Sequence, residues 1–207
     1  MAEAPGRRSY DSQRRQAQAH QTRVEIVGAA RHLFVSRGWA ATTMREVARE
    51  AGVSVPTVYA AYGNKTGLVR ALVDAADLSA DMPQLLTELE AASGPERQLA
   101  AMAAYDRRLF EHAGDLIRLI REAGRTDAEL STVYDQTRRD ADQFRSEVFS
   151  TWPADTLRPG LSLSAALDVY AALCNVDVYT TLTVERHWTP ARVEGWWAET
   201  LVGLLHQ

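Results

Sequence analysis

The 207-residue sequence predicts an all-α chain. An N-terminal three-helix helix-turn-helix domain precedes a larger C-terminal helical domain, about nine helices together. Three observations carry this prediction. Apolar residues recur every three or four positions along most of the chain, and beyond residue 80 no alternating strand pattern is present. The run from Thr42 to Lys65, TTMREVAREAGVSVPTVYAAYGNK, spells two short helices meeting at Gly52, the second opened by a capping serine. Charge is also segregated: residues 1–70 carry 11 Lys/Arg against 5 Asp/Glu, and residues 71–207 carry 12 against 22. The net charge of −4 therefore hides a basic head (+6) on an acidic body (−10). That asymmetry is expected where one end meets phosphates and the other does not.

Bulk properties exclude several classes. A hydrophobic content of 46% suffices for a buried core. Cys174 is the single cysteine, so neither an intramolecular disulfide nor a thiolate metal site is available, which suits a reducing cytoplasm. No apolar run has the length of a membrane span, and the Arg-containing N-terminus lacks an apolar signal core. A soluble cytoplasmic protein with no membrane partner is expected. Catalysis and cofactors are not: there is no Gly-rich phosphate loop, no Ser/His/Asp spelling and no H-E-x-x-H. The five histidines (His20, His32, His112, His187, His206) lack metal-ligand spacing. The carboxylate pairs Asp127/Glu129 and Asp140/Asp142 lie two apart and do not share a helix face.

Taken in order, residues 1–21 read as a flexible basic tail whose Arg7, Arg8, Arg14 and Arg15 can reach a minor groove or the backbone. The helix-turn-helix domain spans 22–70. Its first helix, 22–37, carries Val24, Val27, Ala30 and Phe34 as an apolar stripe and closes at Gly38. Thr43 and Glu46 spell a capping box for the second helix, with Met44, Val47, Ala48 and Ala51 inward. Gly52 supplies the left-handed turn residue and Val53 plugs the corner. Ser54 caps the third helix, Val55–Tyr62, with Pro56 harmless in its first turn. Asn64 caps a fourth helix that turns Leu68, Val69, Leu72 and Val73 inward.

The combination of Ile26, Ala30, Leu33-Phe34, Gly38-Trp39, Thr42-Thr43, Val47-Ala48, Ala51-Gly52-Val53-Ser54, Thr57, Tyr59 and Asn64-Lys65 resembles the N-terminal domain of the TetR (tetracycline repressor) family of bacterial transcription regulators. The resemblance implies that the third helix enters the major groove of a palindromic double-stranded operator. On this basis Ser54, Val55, Pro56 and Thr57 face base edges or phosphates. Tyr59 and Lys65 match the family's phosphate-clamping tyrosine and lysine, Arg45 matches a reading or clamping position, and Thr42 and Thr43 serve as DNA-backbone contacts. Tyr62 is read as packing in the corner instead. Two departures stand out. Gly67 occupies a position that is commonly acidic, so the fourth helix is expected to be less firmly capped. Ala61-Tyr62-Gly63 replaces the usual His/Tyr-Phe pairing.

The body, 71–207, is the effector-binding and dimerisation domain that the resemblance implies. Its residues spell a helix over Pro95–Ala113, a short one over Asp115–Ala123, and one capped by Asp127 with Leu130, Val133, Tyr134, Thr137, Ala141, Phe144 and Val148 in its stripe. A loop over 152–160 precedes an apolar stretch, Leu161–Val184, and Thr189-Pro190 opens a final helix. The last two are apolar over more than one face. By the resemblance they pair with their copies in a homodimer through Leu173, Val193, Trp196, Trp197, Leu201 and Leu204. Tyr105, Tyr134, Phe144, Tyr170, Cys174 and Tyr179 are candidates for lining a mostly apolar pocket for an unknown small-molecule effector. The expected function is a ligand-responsive, homodimeric repressor. The alternative is a helical small-molecule-binding or interaction protein with a vestigial DNA-binding head.

Overall fold

The structure, a computed structural model, describes residues 6–153 and 155–206, with side chains described from residue 14 onward. Among the described residues ten helices follow one another: α1 (Gly6–Arg37), α2 (Met44–Glu50), α3 (Val55–Tyr62), α4 (Lys65–Ser79), α5 (Met82–Ala91), α6 (Pro95–Gly124), α7 (Ala128–Ser150), α8 (Leu163–Leu173), α9 (Val176–Thr180, continued by a π-helical turn to Glu185) and α10 (Pro190–Leu205). Counting α8 and α9 as one interrupted helix gives nine. The chain divides into two compact units, Met1–Leu72 and Val73–Gln207.

In the head, Ile26, Ala30, Leu33 and Phe34 of α1 meet Met44, Val47 and Ala48 of α2, Val58 of α3 and Leu68, Val69 and Leu72 of α4 in one buried core. The i, i+3/i+4 spacing of each set is what puts it on one helix face. Gly38 (φ 82°) ends α1, its N–H donating to the Phe34 carbonyl at 2.9 Å. The tail assigned to residues 1–21 needs correction. Its first five residues lie outside the described ones, but α1 begins at Gly6. Residues 6–21 hold neither proline nor a β-branched residue and are rich in Arg, Gln and Ala, all good helix formers. A composition that suggested a tail propagates the helix instead.

In the body, α6 packs against α5, α7, α9 and α10. Its 30 residues replace the two helices expected on either side of Gly114. Gly114 is there for clearance and does not break the helix: a Cβ on it would lie 3.3 Å from a Val176 methyl carbon of α9. The stretch expected as one helix, 161–184, is instead divided at Cys174-Asn175. Asn175 caps α9, its Oδ1 accepting from the N–H groups of Asp177 and Val178 at 3.0 Å each. Its amide donates back to the Ala172 carbonyl at 2.8 Å. One side chain thus closes one helix and opens the next. Helix α5 was not foreseen. Asp81, left-handed at φ 61°, caps it through the Gln84 N–H at 3.1 Å, and Pro83 sits in its first turn. At the centre of the body Trp197 meets Phe110 edge-on (centroids 5.9 Å) and Tyr179 (6.1 Å).

Candidate nucleic-acid interface and a cavity in the body

The turn between α2 and α3 is fixed by its caps. Thr43 accepts the Glu46 N–H at 3.3 Å, and Glu46 accepts the Thr43 N–H and hydroxyl at 2.9 Å each. These bonds, the hydroxyl's first, hold the Glu46 carboxyl below its ordinary pKa. Gly52 takes the left-handed conformation (φ 67°) that the tight turn needs, and the Val53 N–H donates to the Ala48 carbonyl at 3.0 Å. Ser54 caps α3 through the Thr57 N–H at 3.2 Å, and its hydroxyl shares a 2.7 Å hydrogen bond with that of Thr57.

This framework sorts the candidate DNA residues. Val58 is buried and anchors α3, while Pro56, Thr57 and Tyr59 are exposed, Tyr59 by 50%, and Val55 is half-buried. Arg45 is exposed on α2 and forms no hydrogen bond or ion pair among the described residues. Thr43 and Ser54 are exposed, with hydroxyls already engaged in capping. Thr42 is not available. It is 1% exposed, and its hydroxyl lies 3.2 and 3.0 Å from the carbonyls of Leu33 and Gly38, so it fastens the α1–α2 turn. A threonine beside a capping box reads the same in sequence whether it faces solvent or core.

Lys65 is engaged as well. Its ammonium donates to the Trp39 carbonyl and sits 3.9 Å from the Trp39 ring centroid and 5.9 Å from that of Phe34. Tyr62 donates to the Arg23 carbonyl of α1 at 3.1 Å. The loose start expected for α4 is not seen. Asn64 accepts the Gly67 N–H at 2.8 Å, and a Cβ on Gly67 would fall 2.0 Å from the Tyr62 carbonyl oxygen. Only glycine fits there, which accounts for the departure at this position.

Within the body two adjoining cavities of about 310 and 280 Å³ share Val73, Asp77, Asp106, Leu109, Thr137, Ala141 and Arg145 in their walls. The first also includes Phe110, Ile117, Ile120, Tyr134, Arg138 and the bidentate pair Arg121–Asp177 (2.5 and 2.9 Å). The second includes Tyr105, Phe144 and Tyr170. Four of the six aromatic and thiol candidates therefore line a cavity. Cys174 and Tyr179 line neither: Cys174 is fully buried among core atoms, and Tyr179 packs on Phe110 and Trp197.

The walls are more polar than an apolar stripe suggests. Asp106 is 2% exposed and accepts from the Tyr170 hydroxyl at 2.9 Å. Both its oxygens lie 3.4 Å from a terminal nitrogen of Arg145, itself 8% exposed. Arg145 also donates to Asp142 at 3.1 Å and lies 4.7 Å above the Tyr170 ring. Burial pushes the Asp106 carboxyl up, with Arg145 and Tyr170 opposing the rise. Asp77 accepts from the Tyr105 hydroxyl at 2.8 Å and is raised by burial and by nearby Asp74. Periodicity could not find these groups, because Asp106 and Arg145 sit at inward positions that a hydropathy pattern reserves for apolar residues.

Among the expected dimer residues, Val193, Trp197 and Leu201 are fully buried in the subunit's own core and cannot face a partner. Two adjacent tryptophans on a helix necessarily diverge by about 100°. Trp197 points in, and Trp196 lies partly exposed against Trp188 (centroids 5.9 Å). Leu204 is 44% exposed and Leu173 half-buried. Among the described residues no helix is long and apolar enough to cross a membrane.

A capped helix-turn-helix with exposed polar residues on its second helix thus precedes, in one chain, a helical body enclosing cavities. Residues 26–72 match the family described as bacterial regulatory proteins, tetR family. That match spans the head alone, and the fold of the whole chain is shared with solved structures of regulators of this type. TtgR of Pseudomonas putida, an HTH-type transcriptional regulator, is 41% identical over 61 residues, 30% of this chain and 29% of TtgR. The chain thus matches less than a third of the length of such relatives. NalD of Pseudomonas aeruginosa, the secondary repressor of the MexAB-OprM multidrug efflux pump, superposes with a TM-score of 0.70 at 22% identity, covering 92% of this chain and 98% of that one. A transcriptional regulator from Saccharomonospora viridis, solved in complex with choline, gives a TM-score of 0.70 at 14% identity over 89% and 97%.

Proposed function

We propose that the protein is a cytoplasmic, homodimeric transcriptional repressor that binds a palindromic operator and leaves it when a small molecule occupies the body. It performs no catalytic step. The observation that carries this reading is the division along α3: Val58 is buried, and Pro56, Thr57 and Tyr59 stand exposed on the helix that follows the turn. Thr57 donates to or accepts from base edges, Val55 and Pro56 meet thymine methyls, and Tyr59, Arg45 and Thr43 meet phosphates. Lys65 acts in two ways, adding charge near the backbone and pinning the Trp39 turn from which α2 starts. The helical run from Gly6 carries Arg14 and Arg15 as further basic groups beside the DNA.

Two copies of α3 enter successive major grooves roughly 34–36 Å apart. Leu173, Trp196 and Leu204, with exposed Val184, supply the apolar surface for the two-fold contact. The NalD likeness supports the repressor reading, and the choline complex of the S. viridis protein supports an effector in the body. An effector moves the DNA equilibrium only by its differential affinity for the two dimer forms. Fluorescence-anisotropy titrations on operator and random duplexes test the contacts. Thr57→Ala is expected to change sequence preference, and Lys65→Ala to weaken binding on all sequences alike. Both variants binding like wild type would overturn the proposed contacts.

A further inference from the structure

We infer that the second body cavity seats the charged end of an organic cation whose apolar remainder extends into the first. The inference rests on reading the body as an effector domain. Four carboxylates line that 280 Å³ space: Asp106 on the buried side, Asp77 half-buried, and Asp74 and Asp140 at the exposed rim. One cation, Arg145, faces them, and it is already engaged by Asp106 and Asp142. The lining therefore carries a net negative charge, four carboxylates against one guanidinium.

Asp77 decides the sign of the occupant. It borders both cavities, and its side-chain partner is the neutral Tyr105 hydroxyl, with no ion pair among the described residues. A neutral occupant would shut Asp77 off from water and leave it uncompensated, which disfavours that occupant. An anion would add repulsion from the other three carboxylates. A cation supplies the missing partner and gains from every carboxylate in the ring. The remaining wall suits a bulky, weakly hydrated cation over a compact one. Tyr105 and Phe144 present aromatic surface, and Met82 and Met102 add polarizable thioethers. Beyond Asp77 the first cavity offers Leu109, Phe110, Ile117 and Ile120 to an apolar tail.

The test is calorimetric titration of the full chain with three probes of similar size: benzyltrimethylammonium, the neutral N,N-dimethylbenzamide and the anion phenylacetate. The cation is expected to bind at least about tenfold more tightly than the amide, and phenylacetate more weakly than either. Asp77→Asn, whose side-chain oxygen still accepts from Tyr105, should remove most of that advantage, with the amide binding more tightly than to wild type and the melting temperature no lower. Asp74→Asn at the rim should remove a smaller part. Equal binding of cation and amide, a preference for phenylacetate, or no binding of any probe would overturn the cation assignment. Cation binding that fails to release operator DNA would leave the ligand class standing and overturn the effector reading beneath it.

Discussion

Removing Arg145 should cost more than its exposure to the cavity suggests. Its guanidinium is the cation that pairs directly with Asp106, which is 2% exposed and is also held by the Tyr170 hydroxyl, with Arg138 a lesser charge nearby. Breaking a buried pair from one side costs about 3–5 kcal/mol, because the remaining charge is left uncompensated. In Arg145→Met, Asp106 limits that cost by taking up a proton, as burial already raises its pKa. The sign follows from linkage. A folded-state pKa above the unfolded value, 3.8, means that the stability is full below about pH 3.8 and is lost as pH rises through the folded value. Wild type shares the first part of that window, so the variant, its Asp106 raised further without Arg145, should lose about 1.4 kcal/mol per pH unit relative to wild type only between the two folded values. The double variant Asp106→Leu/Arg145→Met removes both charges and should lie within about 1 kcal/mol of wild type, or above it. Urea unfolding followed by circular dichroism at pH 5 and 7.5 measures all three proteins. A single variant within about 1 kcal/mol of wild type at both pH values, or a double variant worse than the single, would refute the argument.

Other consequences are sharper at the head and at the outer helices. Gly67→Ala would place a methyl 2.0 Å from the Tyr62 carbonyl oxygen, so the α3–α4 corner must move. A loss of about 1–3 kcal/mol or more, with weakened DNA binding at retained helicity, is expected by calorimetry and anisotropy. Thr43→Ala removes a capping box and should lower stability by about 1 kcal/mol in urea titrations. Glu46 is held below its usual pKa by Thr43, so this contribution is present above about pH 4.5 and fades on acidification; the variant's stability should depend less on pH in that range. Trp196→Glu with Leu204→Glu should give a folded monomer by analytical ultracentrifugation, whereas Trp197→Ala should destabilise the body by about 3–5 kcal/mol. A dimer surviving the first change would refute the proposed contact face.

The head was legible because local chemistry decides it. Capping boxes, a glycine that must be left-handed and a proline confined to a first turn each have one physical meaning, and Thr43, Gly52, Ser54 and Pro56 all lie where those meanings place them. The errors arose where tertiary packing decides. Gly114 looks like a break but gives clearance to Val176, and Asn175 looks like any polar residue but ends α8 and starts α9. Thr42 carries the right chemistry for phosphate, yet it is buried against the α1–α2 turn. Trp196 and Trp197 share one identity and opposite environments, a matter of a single residue's rotation about α10. The buried Asp106–Arg145 pair opposes the hydropathy pattern of both its helices, and only side chains converging across α6 and α7 reveal it.

On the proposed function the basic head binds duplex DNA sequence-specifically. A gel-shift titration of the wild-type protein on the DNA flanking its own gene, repeated across a salt series with random duplex as competitor, tests it most directly. A discrete retarded complex that survives competition by random DNA is expected, with log affinity falling linearly as log salt rises. No retardation of any duplex at low salt would contradict it.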